Sequence, residues 1–254
     1  MLAQFLTINL FAFFMIFARL GAALMLLPPF GDVFVLGRAR LVLALAISLV
    51  ALPVIGPMVP PPPASALTLA LMLASEVSIG LFIGSLVRIM MSALQTASIV
   101  IAYQTGLGTA AAFNPTQNEQ GILISRFFTL LGLVMLFATN LHLVLISGLI
   151  DSFIALPPGV PPVIDDIASQ AVDFVAAAFI AALKVAAPLL ILGVLFYLGL
   201  GLLSRLMPSI QVLFIALPLQ IAFGFWIVMV MLSGMMLWFF DDFATRVGTI
   251  FGGA

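Results

Sequence analysis

The sequence predicts an all-α protein whose long helices are embedded in a membrane. Hydrophobic residues make up 65% of the 254 positions and charged residues only 7%, whereas a soluble domain carries about a quarter charged residues. Residues 127–150, 185–204 and 206–240 each lack Asp, Glu, Lys and Arg. A helix needs roughly 20 apolar residues to cross a hydrocarbon core of about 30 Å. Each of the three runs is long enough to do so.

Seven apolar segments separated by proline, glycine or polar residues are the predicted helices. They cover approximately residues 5–27, 41–56, 66–87, 93–112, 124–150, 172–203 and 210–239. Proline blocks the continuation of a helix, so Pro28 and Pro29 end the first segment and the run Pro60–Pro63 follows the second. No linker is long enough to separate soluble domains. We therefore predict a single membrane-embedded domain over residues 1–254.

The first segment is predicted to be a retained helix. A cleaved signal peptide begins with basic residues, and its apolar stretch is short. This chain begins Met1-Leu2-Ala3-Gln4, and its first apolar run continues to Leu27. Neither feature is typical of a signal peptide.

The fourth segment differs from the others because it is rich in polar side chains. These are Gln95, Thr96, Ser98, Tyr103, Gln104, Thr105 and Thr109. Lipid accommodates such groups poorly, so we expect the segment to face protein or water. If it turns back within the membrane, the arginines after segments one, three and six share one side, the cytoplasmic side by the positive-inside rule. The predicted fold has about six long helices plus one re-entrant or broken segment.

Three charged residues, Arg19, Glu76 and Lys184, lie inside apolar runs. Charges within a membrane are unfavourable and are candidates for function. In one interpretation Glu76 carries a proton or an ion, and the basic residues modulate it. In the other, the charges pair with each other or with a partner subunit and set helix packing and register. The lack of a repeated spacing favours the second interpretation. Near Glu76, the spacing of Gly80 and Gly84 predicts close helix packing.

His142 is the single histidine of the chain. The sequence has no HExxH spacing, and no Ser/His/Asp set can be assembled on adjoining faces. We therefore predict that the protein is not an enzyme and has no cofactor or metal site. His142 and Asn140 are expected to make hydrogen bonds between helices. The net charge of −1 gives no electrostatic argument for nucleic-acid binding.

A glycine-rich stretch follows the polar fourth segment. It lacks the GK[ST] ending of a phosphate-binding loop, and its glycines and Asn-Pro pair are typical of an unwound turn. Phe113, at the tip of this turn, either closes a narrow aqueous path by dewetting or is a packed loop residue. The candidate gating residues are Gly106, Leu107, Gly108, Phe113, Asn114 and Pro115.

Five stretches in a fixed order resemble the FliR family, flagellar biosynthetic export-gate proteins related to the T subunit of type III secretion systems. They are FARLGAALMLLPPFG at Phe17–Gly31 with Arg38 and Arg40 after it, QTGLGTAAAFNP at Gln104–Pro115, SRFF at Ser125–Phe128, Thr139–Gly159, and Gly201–Phe225. Two departures are visible. The family's Asn-Gly-His triplet is Asn140-Leu141-His142 here, and the acidic residue before the loop proline is Asn114. A charge-dependent role for that loop position is therefore not expected.

The resemblance implies a structural and gating subunit of the flagellar type III protein export gate. Its helices would pack as hairpins in a hetero-oligomer with FliP and FliQ, near FlhA and FlhB, in the bacterial inner (cytoplasmic) membrane at the flagellar basal body. Unfolded flagellar proteins would pass through this gate, and the loop at Gly106–Gln120 would plug it when closed. The alternative, from another class, is a stand-alone membrane transporter of ions or small solutes that uses Glu76.

Overall fold

The computed structural model describes residues 2–32, 34–107, 120–160, 164–206 and 212–250, and these ranges contain helices and no strand. They form seven α-helices and one short 3₁₀ helix at Gly56–Met58. The α-helices are α1 (Leu2–Leu26), α2 (Gly37–Ile55), α3 (Ala66–Gln104), α4 (Gln120–Ala138), α5 (Leu141–Ala155), α6 (Ile164–Leu206) and α7 (Val212–Ile250). The predicted all-α class is confirmed.

The third and fourth predicted segments are one continuous helix, α3. The prediction of a break after Arg88, with a separate re-entrant segment behind it, is therefore wrong. Residues 88–92 contain no glycine or proline that would stop a helix. Arg88 is exposed on α3, and a long arginine side chain can extend its charge away from apolar surroundings while the helix continues.

The broken segment lies instead inside the fifth predicted segment. Helices α4 and α5 are bent by 72° at Thr139 and Asn140. Asn140 has a φ of 59°, in the left-handed region. Asparagine adopts this conformation more readily than most residues, which allows the chain to stop one helix and begin the next without glycine or proline.

Among the described residues, four helices are long and apolar enough to cross a membrane: α2 with the 3₁₀ turn, α3, α6 and α7. The bent pair α4–α5 adds a fifth span if it crosses as one unit, and Leu10–Leu26 is a shorter apolar helix. The sequence predicted six crossings. Five of these crossings correspond to α2, α3, α6, α7 and the bent pair, and the sixth corresponds to α1, of which Leu10–Leu26 is the shorter apolar helix.

Contacts divide the chain into two compact units. Unit 1 comprises Met1–Met90, Leu136–Val175 and Phe243–Ala254, and unit 2 comprises Met91–Met135 and Ala176–Asp242. The predicted single domain over residues 1–254 stays a prediction. Helices α3, α6 and α7 each contribute residues to both units.

Close helix packing in unit 1 occurs where α3 presents Gly80 and Gly84 to α1. A Cβ atom at Gly84 would lie 2.7 Å from the carbonyl oxygen of Ala23, and one at Gly80 would overlap the carbonyl oxygen of Arg19. Only glycine permits the two backbones to approach this closely. The approach places Arg19 and Glu76 on facing helices.

Candidate functional site

A buried ion pair lies in unit 1 between α1 and α3. Arg19 Nε donates to Glu76 Oε2 at 2.7 Å, and both side chains are 0% exposed. Arginine's planar guanidinium has five donors, which suits it to buried carboxylates. The structure thus brings together two of the three charges that the sequence placed in apolar runs.

Groups from α5 and the loop behind it complete the surroundings of this pair. Arg19 Nη1 donates to the carbonyl oxygen of Ser152 at 3.0 Å, and its guanidinium carbon lies 4.1 Å from the ring centroid of Phe153. Glu76 Oε1 accepts the backbone N–H of Gly159 at 3.0 Å. Gly159 has a φ of +81°, a conformation that favours glycine. The network therefore joins α1, α3, α5 and the following loop.

The contacts of Glu76 indicate a packing role. Both carboxylate oxygens accept hydrogen bonds, and the side chain is closed to solvent. A proton or ion carrier needs a path by which the proton or ion arrives and leaves, and the side chain of Glu76 is closed to solvent. That the pair sets helix packing or register stays a prediction. The arrangement does not support the alternative of a stand-alone transporter that uses Glu76.

Arg19 has one donor that is left over. Its Nη2 is buried and has no hydrogen-bond partner among the described residues, and the same holds for Ser75 Oγ. Buried polar groups without partners are unfavourable by about 1–3 kcal/mol. These two groups therefore reduce the stability of the surroundings of the pair.

Lys184 lies on α6 in unit 2 and is exposed. Its Nζ atom is 5.2 Å from the ring centroid of Trp238 on α7. A cation over an indole ring at an exposed site contributes about 0.5–1 kcal/mol. The role of Lys184 in packing or register stays a prediction.

Asn140 and His142 lie at the bend between α4 and α5. Asn140 is exposed, and the half-buried imidazole of His142 packs 5.0 Å from the ring of Phe137. His142 Nδ1 is buried and makes no hydrogen bond within the described part of the chain. The contact of His142 that the structure describes between helices is a ring contact, and the expected hydrogen bonds of Asn140 and His142 between helices stay a prediction.

The start of the candidate gating loop lies in unit 2, where α3 ends at Gln104. The side-chain amide of Gln220 on α7 donates to the carbonyl oxygen of Gln104 at 3.0 Å. The same nitrogen lies 3.3 Å from Tyr197 Oη on α6, its second acceptor. Gln220 is 7% exposed. We call Gln104, Thr105, Gly106 and Leu107 the stem.

Glycines allow the stem to approach both helices. A Cβ atom at Gly193 of α6 would overlap the side-chain oxygen of Gln104, and one at Gly224 of α7 would lie 2.8 Å from Thr105 Cγ2. Gly106 turns the chain with a φ of +81°, directly against the Gln220 side chain. The stem therefore packs against glycines on two helices and accepts a side-chain hydrogen bond from one of them, α7.

A small pocket lies beside the stem. Its wall combines the amides of Gln104 and Gln220 with apolar side chains such as Leu189, Phe196 and Phe223. Across the described ranges, no group of three or more His, Cys, Asp or Glu is placed to hold a metal ion. The polar chemistry at this place is hydrogen bonding by neutral amides.

Four of the predicted gating residues, Gly108, Phe113, Asn114 and Pro115, lie outside the described residues, whereas Gly106 and Leu107 belong to the stem. Sequence reasoning missed the side chains that hold the stem and the groups that surround the ion pair. These are Tyr197, Gln220, Gly224, Ser152, Phe153 and Gly159. An available signal was Gln220 itself, the single amide side chain within α7.

Comparison with known proteins places the chain among bacterial export proteins. The family described as "Bacterial export proteins, family 1" matches residues 10–246. The chain is 35% identical over 225 residues to the flagellar biosynthetic protein FliR of Caulobacter vibrioides, covering 88% of this chain and 90% of that protein.

Two further relatives extend the comparison. FliR of Bacillus subtilis is 29% identical over 235 residues, covering 89% of this chain and 88% of the relative. The Yop proteins translocation protein T of Yersinia pestis is 32% identical over 161 residues, covering 62% of this chain and 61% of the relative. The length of the family match and the identity to the Caulobacter protein show that this chain belongs to the FliR family of bacterial export proteins.

Proposed function

We propose that the protein is a structural and gating subunit of the flagellar type III protein export gate, in the bacterial inner membrane at the flagellar basal body. The observation that carries this proposal is the family match over residues 10–246, together with relatives named for flagellar biosynthesis. The proposed role is not enzymatic. The buried Arg19–Glu76 pair, closed to solvent, is consistent with a subunit whose charges hold it together.

The proposed partners are FliP and FliQ, with FlhB and FlhA nearby, and transiently the unfolded flagellar proteins that are exported. Helices α3, α6 and α7 have 39, 43 and 39 residues. At about 1.5 Å per residue each is roughly 60 Å long, twice the hydrocarbon core of about 30 Å. A bilayer that such a helix crosses once does not cover its whole apolar length, so protein partners are needed for the rest.

Exposed apolar side chains on α7 also need cover from lipid or from another protein. They include Leu219, Phe223, Phe225, Trp226, Met229 and Val230. Large apolar patches of this kind mark surfaces that lipid or another protein covers. Membership in a hetero-oligomer supplies such cover along the parts of the helices that extend beyond lipid.

Co-purification tests the proposed assembly. The protein is produced with and without its cognate FliP and FliQ, and the size and composition of the purified particles are measured. We expect a stable complex that contains all three proteins. A lone monomer that supports export by itself would overturn the proposal.

The gating part of the proposal concerns the segment that follows the stem and includes Phe113. Deleting residues 109–118 removes this segment and leaves the stem in place. We expect greater ion leakage through the assembled complex in vesicles, because a hydrophobic obstruction of an aqueous path has been removed. Unchanged leakage from a correctly assembled complex contradicts the gating role without affecting the assembly role.

A further inference from the structure

We propose that Gln220 is a positioning residue that fixes the stem, and with it the point at which the following segment leaves α3. This inference deepens the proposed gating role and rests on it for what the segment does. The hydrogen bonds of Gln220 to the Gln104 carbonyl oxygen and to Tyr197 carry the inference.

The end of a helix in apolar surroundings needs hydrogen-bond partners. The last four carbonyl groups of a helix lack partners within the helix, and an unpaired carbonyl in apolar surroundings is unfavourable. The Thr105 N–H bonds to the carbonyl oxygen of Ile101, and the Gly106 N–H bonds to that of Tyr103. Gln220 supplies the donor for the carbonyl oxygen of Gln104, the last residue of α3.

The packing around Gln220 repeats one arrangement on two helices. Gly193 and Tyr197 are four residues apart on α6, and Gln220 and Gly224 are four residues apart on α7. Residues at this spacing share a helix face. On each helix the glycine leaves room for the stem. One turn away lies a polar side chain, Gln220 on α7 and its acceptor Tyr197 on α6. The stem therefore lies in a fitted groove.

This groove changes the role expected of Gly106. The sequence pattern placed Gly106 and Gly108 in an unwound turn among the candidate gating residues, where glycine allows the backbone to move. Gly106 is buried, and a side chain at this position would meet the Gln220 amide at 3.3–3.4 Å. We infer that Gly106 is a fixed corner, so that any movement of the segment begins after it.

Amide hydrogen exchange in the purified complex tests this inference. Gln220→Met keeps an unbranched side chain of similar length and removes both hydrogen bonds. Exchange in a peptide that contains Thr105 and Gly106 should become about tenfold faster, because the carbonyl left without a partner favours local opening. Gln95→Met is the matched control, since Gln95 is an exposed glutamine on α3, the helix that leads into the stem. It should leave the exchange rate of this peptide unchanged.

A second pair of variants keeps the inference testable if Gln220→Met fails to assemble. Gly224→Ala places a methyl group 2.8–3.0 Å from Thr105 and should displace the stem. Gly234→Ala adds the same methyl group to α7 where nothing lies within 4 Å. Faster stem exchange in Gly224→Ala alone supports the fitted groove, and equal exchange in the two variants contradicts it.

The exchange result is independent of the gating result. If Gln220→Met accelerates stem exchange while deletion of 109–118 leaves leakage unchanged, the positioning role stands and the gating role fails. If stem exchange is unchanged in an assembled Gln220→Met complex, the positioning role is overturned whatever the leakage shows.

Discussion

The two units hold their helices together with different polar chemistry. In unit 1, the charged pair Arg19–Glu76 is fully buried and joins α1, α3, α5 and the loop behind α5. In unit 2, the neutral amide of Gln220 joins the end of α3 to α6 and α7. Both networks also bind backbone groups, those of Ser152 and Gly159 in unit 1 and that of Gln104 in unit 2. Only the network in unit 1 contains buried charged side chains.

The difference has consequences for what each network tolerates. Removing one partner of a buried ion pair leaves an uncompensated charge, which is destabilising by about 3–5 kcal/mol. Removing one neutral hydrogen bond lowers the free energy of unfolding by about 0.5–1.5 kcal/mol. A charged network therefore suits a part of the molecule that must stay assembled. A neutral one suits a place where local opening is compatible with the fold.

The largest expected effect comes from breaking the charged network. Glu76→Gln leaves Arg19 buried without a counter-charge, so we expect the yield of folded protein to fall several-fold and its unfolding temperature to drop. The expected loss in the free energy of unfolding is about 3–5 kcal/mol. Yield and unfolding temperature in detergent are the measurements. The double variant Arg19→Met with Glu76→Met removes both charges and should recover most of the loss. A double variant as damaged as Glu76→Gln would contradict the ion-pair interpretation.

Gly84→Ala tests whether the charged network depends on the close approach of α1 and α3. The added Cβ would lie 2.7 Å from the carbonyl oxygen of Ala23, and overpacking of this kind destabilises by about 1–3 kcal/mol. We expect a lower unfolding temperature than for the wild type. Gly199→Ala serves as the control because nothing lies within 4 Å of its added Cβ. Equal unfolding temperatures for the two variants would show that the close approach of α1 and α3 does not determine the stability of the protein.

Asn140 affects the charged network indirectly, because it begins the helix that carries Ser152. The φ of Asn140 is 59°, a conformation that most residues with a side chain adopt unfavourably. We therefore expect Asn140→Ala to lower the free energy of unfolding by about 1 kcal/mol. Asn140→Gly permits the same backbone conformation and should be close to neutral. Thermal unfolding of the two variants measures the difference. Similar losses in both variants would show that the side chain of Asn140 matters more than its backbone.

Lys184 is expected to show the smallest effect, since it is a charge outside any buried network. Lys184→Met removes the cation over Trp238, so stability should fall by less than about 1 kcal/mol. Lys184→Arg keeps the cation and serves as the control. A loss as large as that of Glu76→Gln, measured in the assembled complex, would assign Lys184 to a buried ion pair with a partner subunit.

Sequence patterns predicted the class of the fold but misplaced one break. Charge-free runs and proline clusters are strong signals, and they located α1 and α2 to within four residues. The ends of the longer helices were less accurate, since α6 begins at Ile164 and not at 172, and α7 ends at Ile250 and not at 239. Arg88 follows the predicted segment 66–87 directly, but it is not a boundary because α3 continues through it. The true break at Asn140 depends on one residue in the left-handed region. Such a conformation depends on contacts distant in sequence and is hard to recognise in a run of apolar residues.

Composition also identified Arg19 and Glu76 as a possible pair, because isolated charges in apolar helices need partners. Which charges would meet was not predictable, since that depends on helix register. Their backbone partners at Ser152 and Gly159 carry no sequence signal of their own. Gln220 is the single amide side chain within α7, but its function follows from the position of the α3 end, which only the fold defines.

Secretion per assembled complex tests the central claim, that the buried charges serve assembly and not transport. Cells that lack the native subunit receive either the wild-type protein or the Arg19→Met, Glu76→Met double variant. Secreted flagellar protein is then divided by the amount of complex recovered. We expect the same ratio for both proteins, because neither charge is needed once the helices are packed. Normal amounts of complex with abolished secretion in the double variant would contradict the account and assign the pair to the transport step.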